Sequence, residues 1–367
     1  SKDAILAKLK ENEAQSQVQV KITHRLPKKI RTMMHVLSKR GEKTYLVGGY
    51  VRDMLRNGPS RDIDLITTCT AEEFHQLFSY FIRSNHLPWL FHFENIDVCC
   101  HPNLDLIEDA KHRDFTINAL YATFSNKDLI LLDPLQRGFK DLNERTLVTI
   151  DAFGNSMRED PIRLMRYLKQ WFQLNWQGRY PIGAIQCLLP ELRHVPFGVY
   201  LLNLERLFAW NGPSVWQGLL NFDLLRGLFF QTQLPLKALD TIAVPSLFSN
   251  HLQDQLGYKI IGFMLGCAYH QKLYDLQLED LDQSWLDGTV KDFLDHWEDD
   301  SFTAFYTRSK THELIKKSIL EVTYLVQPQR PPSPPLVFQY GQQVAGQQVA
   351  TSDQPEPSSK KNDLGKK

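Results

Sequence analysis

Apolar and polar positions change rhythm about 150 residues into the chain. Before that point, short apolar runs alternate with helical stretches, as in a sheet interleaved with helices. Thr44 to Val47 is one such run; it breaks at Gly48-Gly49, continues as a helical segment through Leu55 and turns over Asn57, Gly58, Pro59 and Ser60. A second strand follows, carrying Asp62-Ile63-Asp64. Thr70 and Glu73 have the spacing of a capping box for a helix through Phe81, and strand-like runs lie near Trp89 to Phe93 and Ile96 to Cys100. The spacing over His112 to Leu120 predicts a helix, Leu129 to Leu132 a strand, and Thr146 to Ile150 a further strand. Upstream, Pro27 to Arg40 predicts a helix stopped at Gly41.

Beyond this region the pattern is helical. Ser156 and Glu159 are placed to cap a helix containing Glu159 to Arg166, with Pro161 tolerable in its first turn. From Gln170 to about Val326, apolar clusters recur at mixed three- and four-residue spacing, broken by Pro190, Pro196, Pro213, Pro235 and Pro245. That predicts a bundle of short helices with Trp171, Trp176, Trp210 and Trp216 in its core. The expected fold class is therefore α+β, a mixed N-terminal sheet followed by an all-helical region. Residues 1–20 are polar and Gln-rich and are expected to be loosely ordered, with room for a short helix. Residues 328–367 begin PQRPPSPP and continue in Gln, Ser, Gly and Lys, the composition of a disordered tail.

Composition narrows the class. A chain of 367 residues suggests two or three modules, and 43% hydrophobic with 11% aromatic residues marks a globular protein. The longest apolar run, around Ile260 to Tyr269, is too short to span a bilayer, and no signal-like apolar segment opens the sequence, so a cytoplasmic location without membrane partners is expected. Cys69, Cys99, Cys100, Cys187 and Cys267 show no C-x-x-C spacing, which argues for reduced thiols and against zinc. Zero formal net charge excludes a uniformly basic nucleic-acid binder, yet the charge is unevenly spread. Residues 21–43 hold eight Lys/Arg against Glu42, and residues 271–300 hold ten acids against Lys272 and Lys291. The basic stretch reads equally as a phosphate-contacting surface or a solvated helix face.

The chemistry concentrates in residues 46–67, LVGGYVRDMLRNGPSRDIDLIT. On a strand, Asp62 and Asp64 point to the same side while Ile63 faces the core. Two convergent carboxylates with open coordination positions suit Mg²⁺, which keeps waters and shares sites with substrate phosphates. Gly48 and Gly49 lack a Cβ, so their N–H groups can approach an anion just ahead of a helix N-terminus. A D-x-D strand or a Gly-Gly turn alone is commonplace; their combination, with Arg52-Asp53 on the intervening helix, is the layout of a phosphoryl-transfer site. Further on, a helix over His112 to Leu120 brings Asp114, Ile117 and Asn118 together, with Arg113 able to pair with a triphosphate. Asp160 and Arg163, at i and i+3, can present an acceptor–donor edge to a nucleobase or form an ordinary intrahelical ion pair. Asp97 can serve as a further metal-site acid or as a strand-edge ion-pair partner.

These stretches resemble the motifs of the class II nucleotidyltransferases, the bacterial poly(A) polymerases and CCA-adding tRNA nucleotidyltransferases, which extend RNA 3′ ends without a template. The first motif is residues 46–67. The second is HRDFTINAL, with His112 in place of an Arg; the third is LQRGFKDL, with Gln136-Arg137-Gly138 in place of a double glycine; the fourth, nucleobase-selecting, is EDPIRLMR. The resemblance covers about residues 21–330. It implies a nucleotidyltransferase head with a basic lead-in over 21–150 and a helical, RNA-binding neck and body over 151–327. Asp62, Asp64 and Asp114 would be catalytic, with Asp62 and Asp64 holding two Mg²⁺ ions. Gly48, Gly49, Arg52, Asp53, Arg113 and Asn118 would bind the nucleotide, and Asp160 and Arg163, supported by Arg166, would select the base. ATP would be the substrate and an RNA 3′ end the partner. The basic lead-in and the Glu159-Asp160-Pro161 form of the fourth motif favour a poly(A) polymerase. The alternatives are a CCA-adding enzyme and a catalytically weak or inactive RNA-binding relative, the latter motivated by a short connection from Asp97 to Arg113 and the altered third motif.

Overall fold

A mixed sheet of eight strands dominates the first 132 residues, in the order β1-β8-β7-β2-β3-β6-β5-β4. Its strands are β1 (Gln17–Lys21), β2 (Thr44–Val47), β3 (Ile63–Thr67), β4 (Ile82–Arg83), β5 (Leu90–Phe93), β6 (Ile96–Cys100), β7 (Tyr121–Ser125) and β8 (Asp128–Leu132). Within this sheet the β3–β6 pair is parallel and the other pairs are antiparallel. This computed structural model describes residues 2–11, 15–21, 26–56, 58, 62–125, 128–174, 177–178, 181–229, 256–262, 264–265, 283–295 and 308–326. The turn residues Asn57, Pro59 and Ser60, Trp176, Cys267, most of the acidic 271–300 stretch and the 328–367 tail lie outside them.

Three helices interrupt the strands near the centre of the sheet: α2 (Lys28–Lys39), α3 (Gly49–Arg56) and α4 (Ala71–Leu77). Helix α2 follows Pro27 and stops where Gly41 takes φ +80°, as its sequence predicts. Helix α4 is capped by the Thr70 hydroxyl, which accepts from the Glu73 N–H, but it ends at Leu77 rather than Phe81. Phe78 and Phe81 instead pack with Phe74 and Phe91 in an aromatic cluster that ties α4 to the sheet. On one sheet face Val47, Ile66 and Tyr121 bury themselves with Ala110 of α5 (Leu106–Lys111) and with Ala119. On the opposite face Ile30 and Met33 of α2 approach Ile96. With both faces covered, β3 reads as a nearly continuous apolar run interrupted by Asp64.

The N-terminal segment, expected to be loose, supplies α1 (Lys2–Glu11) as well as edge strand β1, paired with β8. The helix expected over His112 to Leu120 does not form. Helix α5 ends at His112, and a single 3₁₀ turn, Thr116–Asn118, leads into β7. The strand expected from Thr146 to Ile150 shortens to β9 (Thr146–Leu147), which pairs outside the large sheet with β10 (Gln177–Gly178). The helix expected to run through Glu159 to Arg166 is two helices, α7 (Phe153–Glu159) and α8 (Ile162–Leu174). Pro161 forces the break: it lacks an N–H, and it pushes Asp160 into extended backbone at φ −142°, ψ 93°. Ser156 is accordingly buried within α7 rather than capping a helix.

Residue contacts divide the chain into two units, Ser1–Val195 with Arg206–Leu224, and Pro196–Glu205 with Leu225–Lys367. The described part of the second is helical. There, Tyr200 donates to the Leu228 carbonyl across 3.0 Å, and Lys316 pairs with Asp287 at 2.9 Å between helices Gln283–Asp295 and Arg308–Val326. Trp216 is a core residue of the first unit, whereas Trp210, expected in the core, is 53% exposed. The described cysteines are free thiols, and among the described residues no helix is long and apolar enough to cross a membrane.

Candidate active site

The register of four neighbouring strands gathers the candidate residues at one end of the sheet. Val47, the last residue of β2, faces Asp64 on β3 and Tyr121 at the start of β7; across the parallel pair, Asp64 stands beside Asp97 of β6. Asp62 immediately precedes β3 rather than lying in it, and is exposed while Asp64 is half-buried.

Gly48 leaves β2 with φ +74°, a left-handed conformation that a side chain disfavours. A Cβ built there would lie 3.6 Å from an Asp64 Oδ and 3.9 Å from Arg113 Nη1, so the Gly48 backbone, an acid and a guanidinium share one small space. Arg113 is held from behind: its Nε donates to Asp109 Oδ2 at 2.9 Å, and Tyr121 donates to the same oxygen. Sequence reasoning overlooked Asp109 and Tyr121, because nothing in an isolated run marks residues that serve only to aim another.

Arg52, Asp53 and Asn118 are also together, but as a buried scaffold. The Arg52 guanidinium donates to both Asp53 oxygens at 2.9 and 3.0 Å, and through Nη1 to Asn118 Oδ1 at 2.9 Å. Asn118 Nδ2 in turn donates to Asp114 Oδ1 at 3.1 Å. Although the predicted helix is absent, the tight turn keeps Asp114 and Asn118 in contact. Backbone bonds from Thr116 N–H to Val148 and from Ile150 N–H to the Asp114 carbonyl pin it. The third motif supports the same turn: Asp141 accepts from the Thr116 hydroxyl at 2.6 Å, and Gly138 leaves no room for a Cβ, which would meet the Thr116 carbonyl oxygen at 2.6 Å.

Electrostatics single out Asp64. Burial first, and then the Asp97 carboxylate, push its pKa up to about 6, with Arg113 opposing and Asp62 adding to the rise. Asp97 also pairs with His92 Nδ1 at 2.5 Å, so the geometry serves both readings of this residue. Mutually repelling carboxylates, all hard oxygen donors, are a donor set that a divalent cation stabilises. Among the described residues no three acidic, histidine or thiol side chains form a closed metal cage, but Mg²⁺ asks for less, one or two carboxylates with water and substrate phosphates. Asp62 and Asp64 fit that demand.

Two cations unread in the sequence also belong here. Lys169 of α8 has its pKa lowered by burial and by the positive charges of Arg206 and Arg52, against Asp62 and Asp53. Arg206, from α10 (Phe197–Ala209), in turn lowers the pKa of Asp64. The helical spacing of Lys169, three residues after Arg166, was the only available signal. Asp160 and Arg163 lie 3.9 Å apart despite the helix break, and Arg163 is further fixed by Glu159 at 3.0 Å and by Ser156. Arg166 is exposed.

Residues 44–106 and 91–148 match the model of the poly A polymerase head domain. The chain is 29% identical over 233 residues to poly(A) polymerase I of Salmonella typhimurium, covering 54% of this chain and 49% of that protein. It is 23% identical over 211 residues to a CCA-adding enzyme of Staphylococcus epidermidis, 52% of each. The chain thus spans about half the length of the curated relatives it matches. Among solved structures, the Thermotoga maritima CCA-adding enzyme complexed with tRNA-CCA superposes with a TM-score of 0.59 at 18% identity, over 86% of this chain and 85% of that one. A CCA-adding enzyme with ATP gives the same TM-score, 0.59. These likenesses carry the fold, a nucleotidyltransferase head with a helical body.

Proposed function

We propose that this chain, which belongs to the family of the poly(A) polymerases and CCA-adding enzymes, is a template-independent RNA 3′-end nucleotidyltransferase. More specifically we assign it poly(A) polymerase activity, the addition of AMP from ATP to an RNA 3′ end. The observation that carries the reading is the convergence of the Gly48 backbone, Asp64 and Arg113 at the end of β2, with Asp62 beside them.

In this reading Asp62 and Asp64 hold two Mg²⁺ ions, whose chemistry is to acidify the 3′-hydroxyl and neutralise charge on the triphosphate and departing pyrophosphate. Phosphoryl transfer asks the protein mainly for positioning and charge. Arg113, aimed by Asp109 and Tyr121, faces the phosphates over the Gly48-Gly49 backbone. Arg52, Asp53 and Asn118 hold Asp114 in place from the buried side, and Lys169 and Arg206 add positive charge. Asp160 and Arg163 offer an acceptor and a donor to the incoming base, with Arg166 alongside. The division into a catalytic head over 21–150 and an RNA-binding neck and body over 151–327 is part of the same proposal, as is a cytoplasmic site of action.

The test is 3′ extension with Mg²⁺ and ATP or CTP supplied separately, on a generic RNA and on a tRNA lacking its terminal CCA, with Asp62→Ala/Asp64→Ala as control. Long tails from ATP alone on generic RNA, absent in the control, support the assignment. CTP-then-ATP addition confined to tRNA moves it to a CCA-adding enzyme. No extension by a folded protein leaves the inactive, RNA-binding relative.

A further inference from the structure

Away from the candidate active site, the first unit carries an open cleft of about 720 Å³ beside helix α2. Its lining includes Arg31, His35, Lys39, Lys43, Tyr45 and Phe124, with Glu42 the one carboxylate. Glu42 accepts from the Thr68 hydroxyl, and among the described residues no carboxylate lies within ion-pair distance of Arg31, Lys39 or Lys43. The cleft sits where β2 begins and β7 nears its end, while Gly48 follows the end of β2 and Tyr121 begins β7. The two places are therefore separated by the length of β2, about 10 Å.

We propose that this cleft binds the backbone of single-stranded RNA as a second contact surface, outside the catalytic centre. Three features point to a strand rather than a compact ligand. Arg31, His35 and Lys39 recur every fourth residue along α2, a straight row with a step of about 6 Å. Such a row follows successive phosphates, whereas a nucleotide triphosphate needs donors that converge on one point. The half-buried ring of Phe124 stands beside the row and offers a face on which an unpaired base stacks, a contact that a duplex cannot make. The volume also suits one or two unstacked nucleotides, within the range of small-ligand sites. Arg31, Lys39 and Lys43 belong to the basic stretch of residues 21–43, whose sequence left open whether it was a solvated helix face.

The experiment is fluorescence anisotropy on the full chain with a short RNA oligonucleotide ending in a 3′-phosphate. That end cannot be extended, so binding is read whether or not the chain transfers nucleotides. Arg31→Ala/Lys39→Ala should weaken binding at least tenfold and flatten the log–log salt slope by roughly 1.4, the loss of two single-strand phosphate contacts. Phe124→Leu should weaken it severalfold and leave the slope unchanged, because stacking releases no counterions. Lys140→Ala, an exposed lysine of helix Gly138–Glu144, serves as a charge control and should bind as the parent does. Circular dichroism checks that each variant is folded. Unchanged affinity in Arg31→Ala/Lys39→Ala overturns the proposal, as does an equal loss in Lys140→Ala. So does competition by polyglutamate or by ATP as effective as that by unlabelled RNA.

Discussion

Arg52 Nη1 donates to Asn118 Oδ1 across 2.9 Å, joining two residues 66 positions apart into one hydrogen-bonded chain from Asp53 to Asp114. Arg52 and Asp53 are 8% and 5% exposed, so this ion pair is shielded from water, and removing one member strands the other. Arg52→Ala is expected to destabilise the first unit by about 3–5 kcal/mol, and Arg52→Ala/Asp53→Ala by less than the sum of the two single changes. Urea unfolding of the three variants checks this. A loss below about 1 kcal/mol for Arg52→Ala would mean that the guanidinium is free to serve the triphosphate directly.

Asp64 gives a pH dependence with a definite sign. Its folded pKa, about 6, lies above the ordinary 3.8, so the folded state holds this proton more tightly than the unfolded chain. Its contribution favours folding below about pH 4 and is lost as pH rises through 6. Asp64→Asn, which cannot ionise, should therefore raise Tm at pH 8 in chelator, by a stability increment of order 1–3 kcal/mol that disappears below pH 4. The same substitution should cost roughly 10³-fold in nucleotide transfer. A Tm difference independent of pH would show that Asp64 is not the titrating group.

Gly138 tests whether the third motif acts through the second. An added Cβ would meet the Thr116 carbonyl oxygen and Leu120 Cδ2, each at 2.6 Å, and backbone on that side has little freedom to move. Gly138→Ala should lose about 1–3 kcal/mol by overpacking, with a fall in kcat as the Thr116–Asn118 turn shifts. Gly183, in helix Ile182–Leu188, has nothing within 4 Å of its Cβ position, so Gly183→Ala should be neutral or stabilising by up to about 1 kcal/mol. Thermal melts of both variants decide; equal effects would remove the steric argument.

Lys169 separates binding from stability. It is a partly buried cation among Arg52 and Arg206, so Lys169→Met relieves like-charge repulsion and should leave Tm unchanged or higher. If Lys169 meets the triphosphate, KM for ATP should rise about tenfold, the worth of one charge-assisted hydrogen bond of about 1.5 kcal/mol. Steady-state kinetics beside a melt read both quantities. An unchanged KM would leave Lys169 a bystander.

Asp160 and Arg163 should govern base choice rather than rate. Arg163→Ala leaves Asp160 without its neighbour at 3.9 Å and should narrow the preference for ATP over CTP in direct competition. A uniform loss with both nucleotides would instead assign Arg163 to holding Glu159 and Ser156 in place.

Much of the head was legible in the sequence because the relevant physics is local. Apolar runs gave β2, β3, β5, β6 and β8, Gly41 ended α2, and Thr70 capped α4. The D-x-D spacing reads Asp62 and Asp64 on one strand face; Asp64 lies in β3, whereas Asp62 just precedes it. Other features needed partners that only the fold supplies. The run from His112 to Leu120 has helical spacing, yet it is bent into a turn because Thr116 and the Asp114 carbonyl bond to the segment around Val148 and Ile150. Edge strands β1 and β4 have too little apolar character to announce themselves and exist by pairing with β8 and β5. The sequence by itself singled out Gly48 and Asp64, which the fold brings within one small space. Tertiary structure alone decided that Arg52 is held in a buried scaffold, that Arg113 is aimed by Asp109 and Tyr121, and that Lys169 and Arg206 join the site. Long-range contacts made those choices, because burial and charge at any one residue depend on segments far away in the chain.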